Sequence, residues 1–319
     1  MENLLIDNPV LQTKASEAFI EANTTSVSLH DMMTSHIIPV FTKDNEPLIS
    51  HTDFISIAEE VSSIVFRDEV IIPANIRVSH PIKGRIPDAK DKPANQLLEK
   101  EKTIYYERMM FLIEIPSIRE TIDGNTLNLT IGGVKSYTQD NLYNRKGSDE
   151  HFKIFIGFKN QVCTNLCVST DGLQANVKVK NAMQLMQEIQ KLITDFRFEK
   201  QLEMLKQFPS YSLSEHQFAT LVGKCKLYQY LPVSDKKDLP ILSFGDYQIS
   251  AIAKDYYTDQ SFCRKPDGSI NLWKVYNLFT GANKSSYIDG FLPRSANASS
   301  FVSDLVNTMD SGNTSWFLN

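Results

Sequence analysis

The sequence has few cysteines and no long apolar run, and both absences narrow the class of protein. Its 4 cysteines, among 319 residues, show neither the C-x-x-C spacing nor the nearby histidine pair that a structural zinc site requires. No stretch of about 18 consecutive apolar residues could span a membrane. The opening residues lack the basic segment and apolar run of a signal peptide. We therefore expect a cytoplasmic protein without a membrane span or a structural metal.

The common catalytic signatures are also missing. The chain contains no G-x-S-x-G, H-E-x-x-H or G-x-G-x-x-G motif, and Lys284 lacks the glycine spacing of a phosphate-binding loop. Its 6 histidines are scattered along the sequence. These absences favour a protein that is not an enzyme and has no cofactor. Because catalytic residues can converge only in space, an unrecognised hydrolase or nuclease stays as an alternative.

What the chain does contain is the composition of a folded protein. Hydrophobic residues make up 42% and charged residues 22% of the sequence, which is typical of globular domains. The net charge of -5 is uneven, because residues 1–70 hold 12 acidic against 3 basic residues and the remainder is mildly basic. This acidic segment is either a shield for a basic site, which a polyanion displaces, or an ordinary solvated terminus.

The polar character and hydrophobic periodicity of the first half divide it into a leader and a sheet region. Residues 1–30 show no sustained period, which predicts a loosely ordered acidic leader. Residues 31–178 predict an α+β region, with a helix that opens at Thr52 and a mostly antiparallel sheet over about 75–175. Within that sheet, the apolar run from Ile104 to Ile115 is typical of a central strand. Gly132 and Gly133 indicate either a bulge or a close approach of the backbone. A further strand is predicted from Gln161 to Ser169.

Residues 179–319 are helical in character. Asn181 and Gln184 have the spacing of a capping box and predict the start of a helix. The predicted helices run from about Met183 to Phe208, from Asp246 to Tyr257, from Asn271 to Thr280 with Gly281 as a C-terminal cap, and from Ser299 to Met309. Strands that precede helices, rather than alternate with them, indicate the α+β class. We expect the helical region to pack on the sheet region as one integrated globular unit.

Several blocks of sequence carry a resemblance to a bacterial family. They include IRVSHPIKGRIPDA, LNLTIGGVKSYTQDNLYNRKG, FIGFKNQVCTNLCVSTDG and LWKVYNLFTGANKSSYIDGFLPRS, and together they run from about residue 37 to residue 297. These blocks resemble an uncharacterised domain of unknown function from gut anaerobes and their mobile elements. The short motifs VCTN and WKVYNLFTGA are also similar to the larger phage/plasmid-like protein family. The resemblance implies a bacterial cytoplasmic protein associated with mobile DNA, and it brings no catalytic residues.

The densest basic segment of the chain lies between Arg77 and Lys92 and predicts a site for nucleic acid. Surface lysines and arginines beside a sheet suit sequence-independent binding, which depends on phosphate contacts. Gly84, between two cations, would let the backbone approach a phosphate, and Tyr105, Tyr106, Tyr137 and Tyr143 could stack on bases. The candidate binding residues are Arg77, His80, Lys83, Arg85, Lys92, Lys135 and Lys159. The alternative is a solvated loop beside core aromatics.

A second group of residues predicts a structural motif. Trp273, Tyr276 and Phe279 share one face of a predicted helix, which is typical of core packing, although base stacking or partner docking is an alternative. We expect Asn277 on that helix and Asn165 beside Cys163 to connect the helical half to the sheet, since a buried amide must be hydrogen-bonded. The residues of this motif are Cys163, Asn165, Trp273, Tyr276 and Asn277.

These observations leave three hypotheses for function. The first is an accessory of a mobile element that binds DNA without catalysis, and it binds single strands rather than a specific duplex sequence. The second is a protein-interaction or anti-defence module whose target is a host protein. The third is the unrecognised enzyme mentioned above. None of the three involves a membrane.

Overall fold

The computed structural model describes residues 18–35, 48–141 and 147–319, and their architecture is α+β, as predicted. The strands are β1 (Thr24–Ser26), β2 (Asn75–Ser79), β3 (Pro81–Arg85), β4 (Lys102–Tyr106), β5 (Arg108–Ile122), β6 (Asn125–Ser136), β7 (Glu150–Asn160), β8 (Leu166–Cys167), β9 (Leu173–Val179), β10 (Ser212–Leu213) and β11 (Ile270–Asn271). The helices are α1 (Leu29–Ser35), α2 (His51–Val65), α3 (Tyr137–Asn141), α4 (Ala182–Asp195), α5 (Phe198–Gln207), α6 (Glu215–Tyr228), α7 (Val233–Lys236), α8 (Asp246–Thr258), α9 (Leu272–Asn283) and α10 (Ile288–Ser311).

The main sheet is antiparallel and lies mostly in the first half of the chain. Within the described residues its order is β1-β2-β5-β6-β7-β8, and β9 pairs with β7 beside β8. The pairing of β5 with β6 runs without interruption through Gly132 and Gly133. A Cβ atom at Gly132 would lie 2.1 Å from the carbonyl oxygen of Phe111, and one at Gly133 would lie 2.3 Å from the Phe54 ring. Of the two predictions for this pair, close backbone approach is confirmed and a bulge is not.

Both faces of the sheet are covered. Along β5, Met109, Phe111 and Ile113 belong to a core cluster that includes helices α2 and α4, whereas Met110 and Leu112 belong to a second cluster with the start of α10. Successive strand residues point to opposite faces, so this alternation means that helices pack on each side. The prediction of a central strand that is apolar on both faces is therefore confirmed for residues 108–115. It is wrong for residues 104–106, which belong to β4 in a separate small sheet, and β5 extends beyond the predicted end to Ile122.

The segment before β1 is packed rather than loose. Phe19 and Ile20 are buried in the second cluster, and β1 pairs with β2. The prediction of a loosely ordered leader is wrong for residues 18–30, because two large apolar side chains there cover the sheet. Residues 1–17 lie outside the described residues.

The helical half differs from its prediction at two helix boundaries. The long helix predicted to reach Phe208 is divided into α4 and α5, because Phe196 adopts an extended conformation and is buried. The last helix begins at Ile288, well before the predicted start, and includes Pro293. Its buried face extends through the proline, with Phe291 and Leu292 on one side and Ala296 on the other, so packing outweighs the lost backbone hydrogen bond.

The cysteine segment is mostly a turn. A strand was predicted from Gln161 to Ser169, but only β8 pairs there, and Thr164 has a positive φ of 57°. That conformation is rare for a β-branched residue. Thr164 is held by a hydrogen bond from its backbone N–H to the Asn160 carbonyl group (2.9 Å). The 4 cysteines are all free thiols. No helix in the described ranges is long and apolar enough to cross a membrane.

Candidate nucleic-acid interface

The basic segment predicted from the sequence folds as a two-stranded ribbon that continues the β2–β5 pair beyond the main sheet. β3 follows β2 after His80, and β4 leads into β5 after Glu107. The two strands pair in antiparallel register along their whole length and form a small sheet of their own. Residues 86–101 connect them through short 3-10 turns. We refer to β3, β4 and this connection as the ribbon.

One face of the ribbon carries three cationic side chains. Residues directly opposite each other in an antiparallel pair point to the same side. Lys83 lies opposite Ile104, and Arg85 lies opposite Lys102, so these four side chains share a face. All three cations are exposed, and Ile104 is half-buried. Tyr106 is half-buried at the base of the same face. The arrangement places positive charge beside an apolar and aromatic surface.

The contribution of Lys102 is absent from the sequence-based prediction. Lys102 is far from Arg85 along the chain, and only the strand register brings the two together. A signal was nevertheless present, since residues 81–85 and 102–106 are two short segments with β-branched and aromatic residues on either side of a polar connection. That pattern is typical of a hairpin with a long loop.

The ribbon's own carboxylates neutralise some of its cations and leave others available. Lys92 pairs with Glu101, and this hydrogen bond lowers the pKa of the Glu101 carboxyl group. Arg85 donates to the carbonyl group of Lys92, and Lys102 pairs with the exposed Glu99. The exposed ribbon cations that form no ion pair within the described part of the chain are Lys83, Arg85, Lys90 and Lys100.

Gly84 serves the packing of the ribbon. A Cβ atom at this position would lie 2.8 Å from Thr103 Oγ1. Thr103 is buried and lies opposite Gly84, on the face away from Lys83 and Arg85. The prediction that Gly84 lets a phosphate approach the backbone between two cations is therefore wrong. The space left by the missing Cβ atom lies on the face of the ribbon that carries Thr103, opposite the face of Lys83 and Arg85.

The base of the ribbon is fixed to the body of the protein. His51 Nε2, on α2, lies 2.8 Å from the carbonyl oxygen of Tyr106. The Arg108 backbone N–H donates to Ser79 Oγ (3.2 Å), where β2 gives way to β3. The Arg108 guanidinium group also pairs with Asp289 on α10 at 2.5 Å. These contacts come from both sides of the sheet and hold the ribbon in one orientation.

Arg77 and His80 occupy different positions, although the sequence grouped them together. The Arg77 guanidinium group donates to the carbonyl oxygen (2.9 Å) and the hydroxyl group (2.8 Å) of Thr24, and burial lowers its pKa. Arg77 thus holds β1 against β2 and does not face a ligand. His80 is exposed at the start of the ribbon.

Lys135 is not a surface cation, contrary to the prediction. It is fully buried, and its ammonium group lies 2.7 Å from Glu150 Oε2 and 3.2 Å from Asp140 Oδ2. The same group lies 4.0 Å from the centre of the Phe152 ring. Glu150 also accepts a hydrogen bond from the Ile49 backbone N–H. Lys135 therefore neutralises two buried carboxylates within the fold.

Lys159 is also removed from the candidate surface. It is 9% exposed and reaches across β6 to pair with Glu114 on β5. Glu114 is further bound by the side chain of Gln161 at 2.9 Å. A lysine in such a pair cannot contact a phosphate unless the pair opens.

The aromatic side chains proposed for base stacking are mostly enclosed. Tyr137 is buried, and its ring stacks on His51 with centroids 4.3 Å apart. Burial raises the pKa of Tyr105, which is half-exposed. Only Tyr105 and Tyr106, among the tyrosines proposed for stacking in the described ranges, have partly open rings, and Tyr143 lies outside those ranges.

Asn165 and Asn277 connect the helical half to the sheet, as expected, and they do so by contacting each other. Asn165 Nδ2 donates to the backbone carbonyl group of Asn277 at 3.0 Å. The Asn277 side-chain oxygen accepts from Asn160 Nδ2 (3.2 Å), and its amide group donates to the Trp273 carbonyl group (2.9 Å). Cys163 Sγ also lies 3.8 Å from this oxygen. A buried polar network thus connects α9 to the end of β7 and the turn before β8.

The aromatic stripe of α9 is core packing. Trp273, Tyr276 and Phe279 are all buried, so none can stack on a base. The Trp273 indole N–H donates to Asn125 Oδ1 at 3.2 Å. The Tyr276 hydroxyl group lies against the Cys167 thiol, and burial raises the pKa of both groups, that of Cys167 to about 12. A thiol with a raised pKa is a poor nucleophile.

Comparison with known proteins places the chain in a family. Over residues 1–318 it matches the family described as Domain of unknown function, B. Theta Gene description (DUF3871). The chain belongs to this family. No curated protein and no solved structure matches it. The DUF3871 match covers the ribbon, the buried lysine cluster and the asparagine network together.

Proposed function

We propose that this DUF3871 protein binds nucleic acid through the phosphate backbone, and that the ribbon is the contact surface. The observation that supports the proposal is the common face of Lys83, Arg85 and Lys102. Lys83 and Arg85 are separated by ~7 Å along the strand, so they can contact successive charges of one extended polyanion. Contacts to phosphate supply affinity without reading sequence.

The proposal favours a single strand over a specific duplex sequence. Ile104 and Tyr106 lie beside the cations on the same face, and both are half-buried. An extended strand can place its phosphates on the cations and an unstacked base against this apolar surface. A role as an accessory of a mobile element is part of the proposal, and it rests on the similarity of the VCTN and WKVYNLFTGA motifs to phage/plasmid-like proteins.

The test is the salt dependence of binding to labelled DNA. We would measure fluorescence anisotropy of an oligonucleotide of about 30 residues, single-stranded and as a duplex. Three phosphate contacts to a single strand would lower the affinity roughly 20-fold between about 50 and 200 mM salt. The double variant Lys83→Glu/Arg85→Glu should bind at least about 10-fold more weakly than the wild type.

The matched control reverses two exposed lysines on helices or loops outside the ribbon. Lys191 and Lys237 are exposed, and Lys191→Glu/Lys237→Glu changes the net charge by the same amount. This control should retain the wild-type affinity. An equal loss of affinity in both double variants would mean that binding depends on net charge and not on the ribbon. If the wild type shows no binding at the lowest salt concentration, the proposal is overturned.

A protein partner is a second candidate, favoured by a different observation. Large apolar side chains between residues 227 and 247 are well exposed. Exposed apolar side chains usually mark an interaction surface when they are contiguous. They are Leu227 (59%), Tyr230 (81%), Val233 (80%), Ile241 (71%) and Tyr247 (73%). A host protein that stays bound in high salt and nuclease, and is lost from Tyr230→Ser/Ile241→Ser, would favour this function over DNA binding.

A further inference from the structure

A cleft of about 300 Å³ lies between α5, the C-terminal half of α10 and residues 169–171. None of its lining residues belongs to the ribbon. Its size is at the lower end of the range for small-molecule sites in proteins. The groups that line it are mostly amides, hydroxyl groups and carboxylates, and their hydrogen-bonding state suggests what the cleft binds.

Two of the residues that line this cleft carry a buried acceptor atom without a partner among the described residues. Gln201 is 2% exposed, and its Nε2 donates to the carbonyl group of Cys167 at 2.8 Å, which fixes the orientation of the amide. Its Oε1 then has no hydrogen-bond partner among the described residues. The hydroxyl oxygen of the buried Ser169 is likewise without a partner in that part of the chain. Buried polar groups are normally hydrogen-bonded, so we expect each of these two oxygen atoms to accept a hydrogen bond from a bound molecule.

One carboxylate of the cleft also lacks a cationic partner among the described residues. Asp304, on α10, forms no ion pair within the described residues, and burial raises the pKa of its carboxyl group. The lysine in the lining, Lys200, lies 4.0 Å from Asp171 and is largely matched by it. The cleft therefore presents an unmatched carboxylate together with unsatisfied neutral acceptors.

We propose that this cleft binds a small primary amine in its ammonium form. An ammonium group has three N–H donors and no acceptor. Asp304 balances its charge, and Gln201 Oε1 and the Ser169 hydroxyl group accept the remaining hydrogen bonds. A neutral alcohol of the same length supplies fewer donors and no charge, so it binds much more weakly.

The test compares an amine with its neutral counterpart. Putrescine and butane-1,4-diol would be titrated into the full chain, with the thermal midpoint and calorimetric binding as readouts. Putrescine should raise the midpoint in a saturable manner, because a ligand of the folded state stabilises it. The diol should have no effect. An equal response to both compounds, or no saturable binding of putrescine up to about 10 mM, would overturn the proposal.

Variants assign the response to the cleft. Asp304→Asn keeps the size of the side chain and should weaken putrescine binding at least about 10-fold. Asp195→Asn, on the exposed end of α4, makes the same charge change and should leave binding intact. Unchanged binding in Asp304→Asn, or an equal loss in Asp195→Asn, would show that the amine binds elsewhere.

Two further variants separate this site from protein stability and from the ribbon. Ser169→Ala removes one proposed acceptor without touching the Gln201 bond, so it should weaken binding several-fold in a folded protein. Lys83→Glu/Arg85→Glu should bind putrescine like the wild type. Wild-type affinity in Ser169→Ala together with loss in the ribbon variant would contradict the assignment.

Discussion

Lysines on the main sheet and lysines on the ribbon both lie in antiparallel strands, but their surroundings differ. Lys135 and Lys159 point into the protein and pair with carboxylates on other elements of the fold. Lys83 and Lys102 point into solvent, and the carboxylate beside Lys102 is itself exposed. Because both faces of the main sheet are covered, its lysines are buried and serve a structural role. The ribbon face that carries Lys83 and Lys102 is exposed, so its cations are accessible to a ligand. Exposure, rather than sequence density of positive charge, thus defines the candidate surface.

The largest effect is expected when a buried lysine is replaced. Lys135→Met should destabilise the protein by about 3–5 kcal/mol, because Glu150 and Asp140 are left buried without a counter-charge. Lys83→Met, at an exposed position, should change the free energy of unfolding by less than about 0.5 kcal/mol. Urea denaturation of both variants measures the difference. Equal effects would mean that the two lysines share one environment.

The asparagine network offers the next test, on the connection between sheet and helices. Asn277→Leu leaves the Asn160 amide without its partner on α9, which should cost about 1–3 kcal/mol. Asn95→Leu, on the exposed ribbon connection, is the control and should have little effect on global stability. An unchanged thermal midpoint in Asn277→Leu would refute the role of this network.

A smaller effect on stability is expected from a substitution at Gly84, on the ribbon face that carries Thr103. Gly84→Ala places a methyl group against Thr103 Oγ1 and should weaken the β3–β4 pairing by about 1 kcal/mol. Hydrogen exchange of the ribbon amides should become faster while the core amides do not change. The double variant Gly84→Ala/Thr103→Ala should restore the slow exchange. Gly223→Ala, where the added methyl group meets open space, is the matched control.

The smallest effect concerns one cation of the ribbon face. Lys102→Met should lower the magnitude of the logarithmic salt slope for single-stranded DNA by about 0.7, the value for one phosphate contact. Its effect on the free energy of unfolding should be below about 0.5 kcal/mol, since the pair with Glu99 is exposed. A slope identical to that of the wild type would remove Lys102 from the interface.

Local patterns in the sequence predicted much of the fold. The capping contact of Asn181 with the backbone of Gln184 begins α4 as expected, and the apolar run of β5 forms a central strand. Helix boundaries were less predictable. The last helix was predicted to begin at Ser299, whereas α10 begins at Ile288 and passes through Pro293, with buried Leu292 before the proline and buried Ala296 after it.

The candidate site was predicted only in part. Lys83, Arg85 and the exposed His80 were identified from charge density, and the structure places them on or at the ribbon. Lys102 was missed because its neighbour in space is distant in sequence. Lys135 was misassigned because a lysine that alternates along a strand looks the same whether its face is solvated or covered.

The sequence by itself determined the α+β class, the main strands and the positions of most helices, since these depend on periodicity and capping over a few residues. Only the tertiary structure decided which cations are exposed, that Asn165 and Asn277 meet, and that Gln201 and Asp304 line one cleft. These facts depend on register and packing between segments far apart along the chain. Such contacts leave no pattern in the nearby sequence, because each residue fits its neighbours along the chain equally well whether its side chain is buried or exposed.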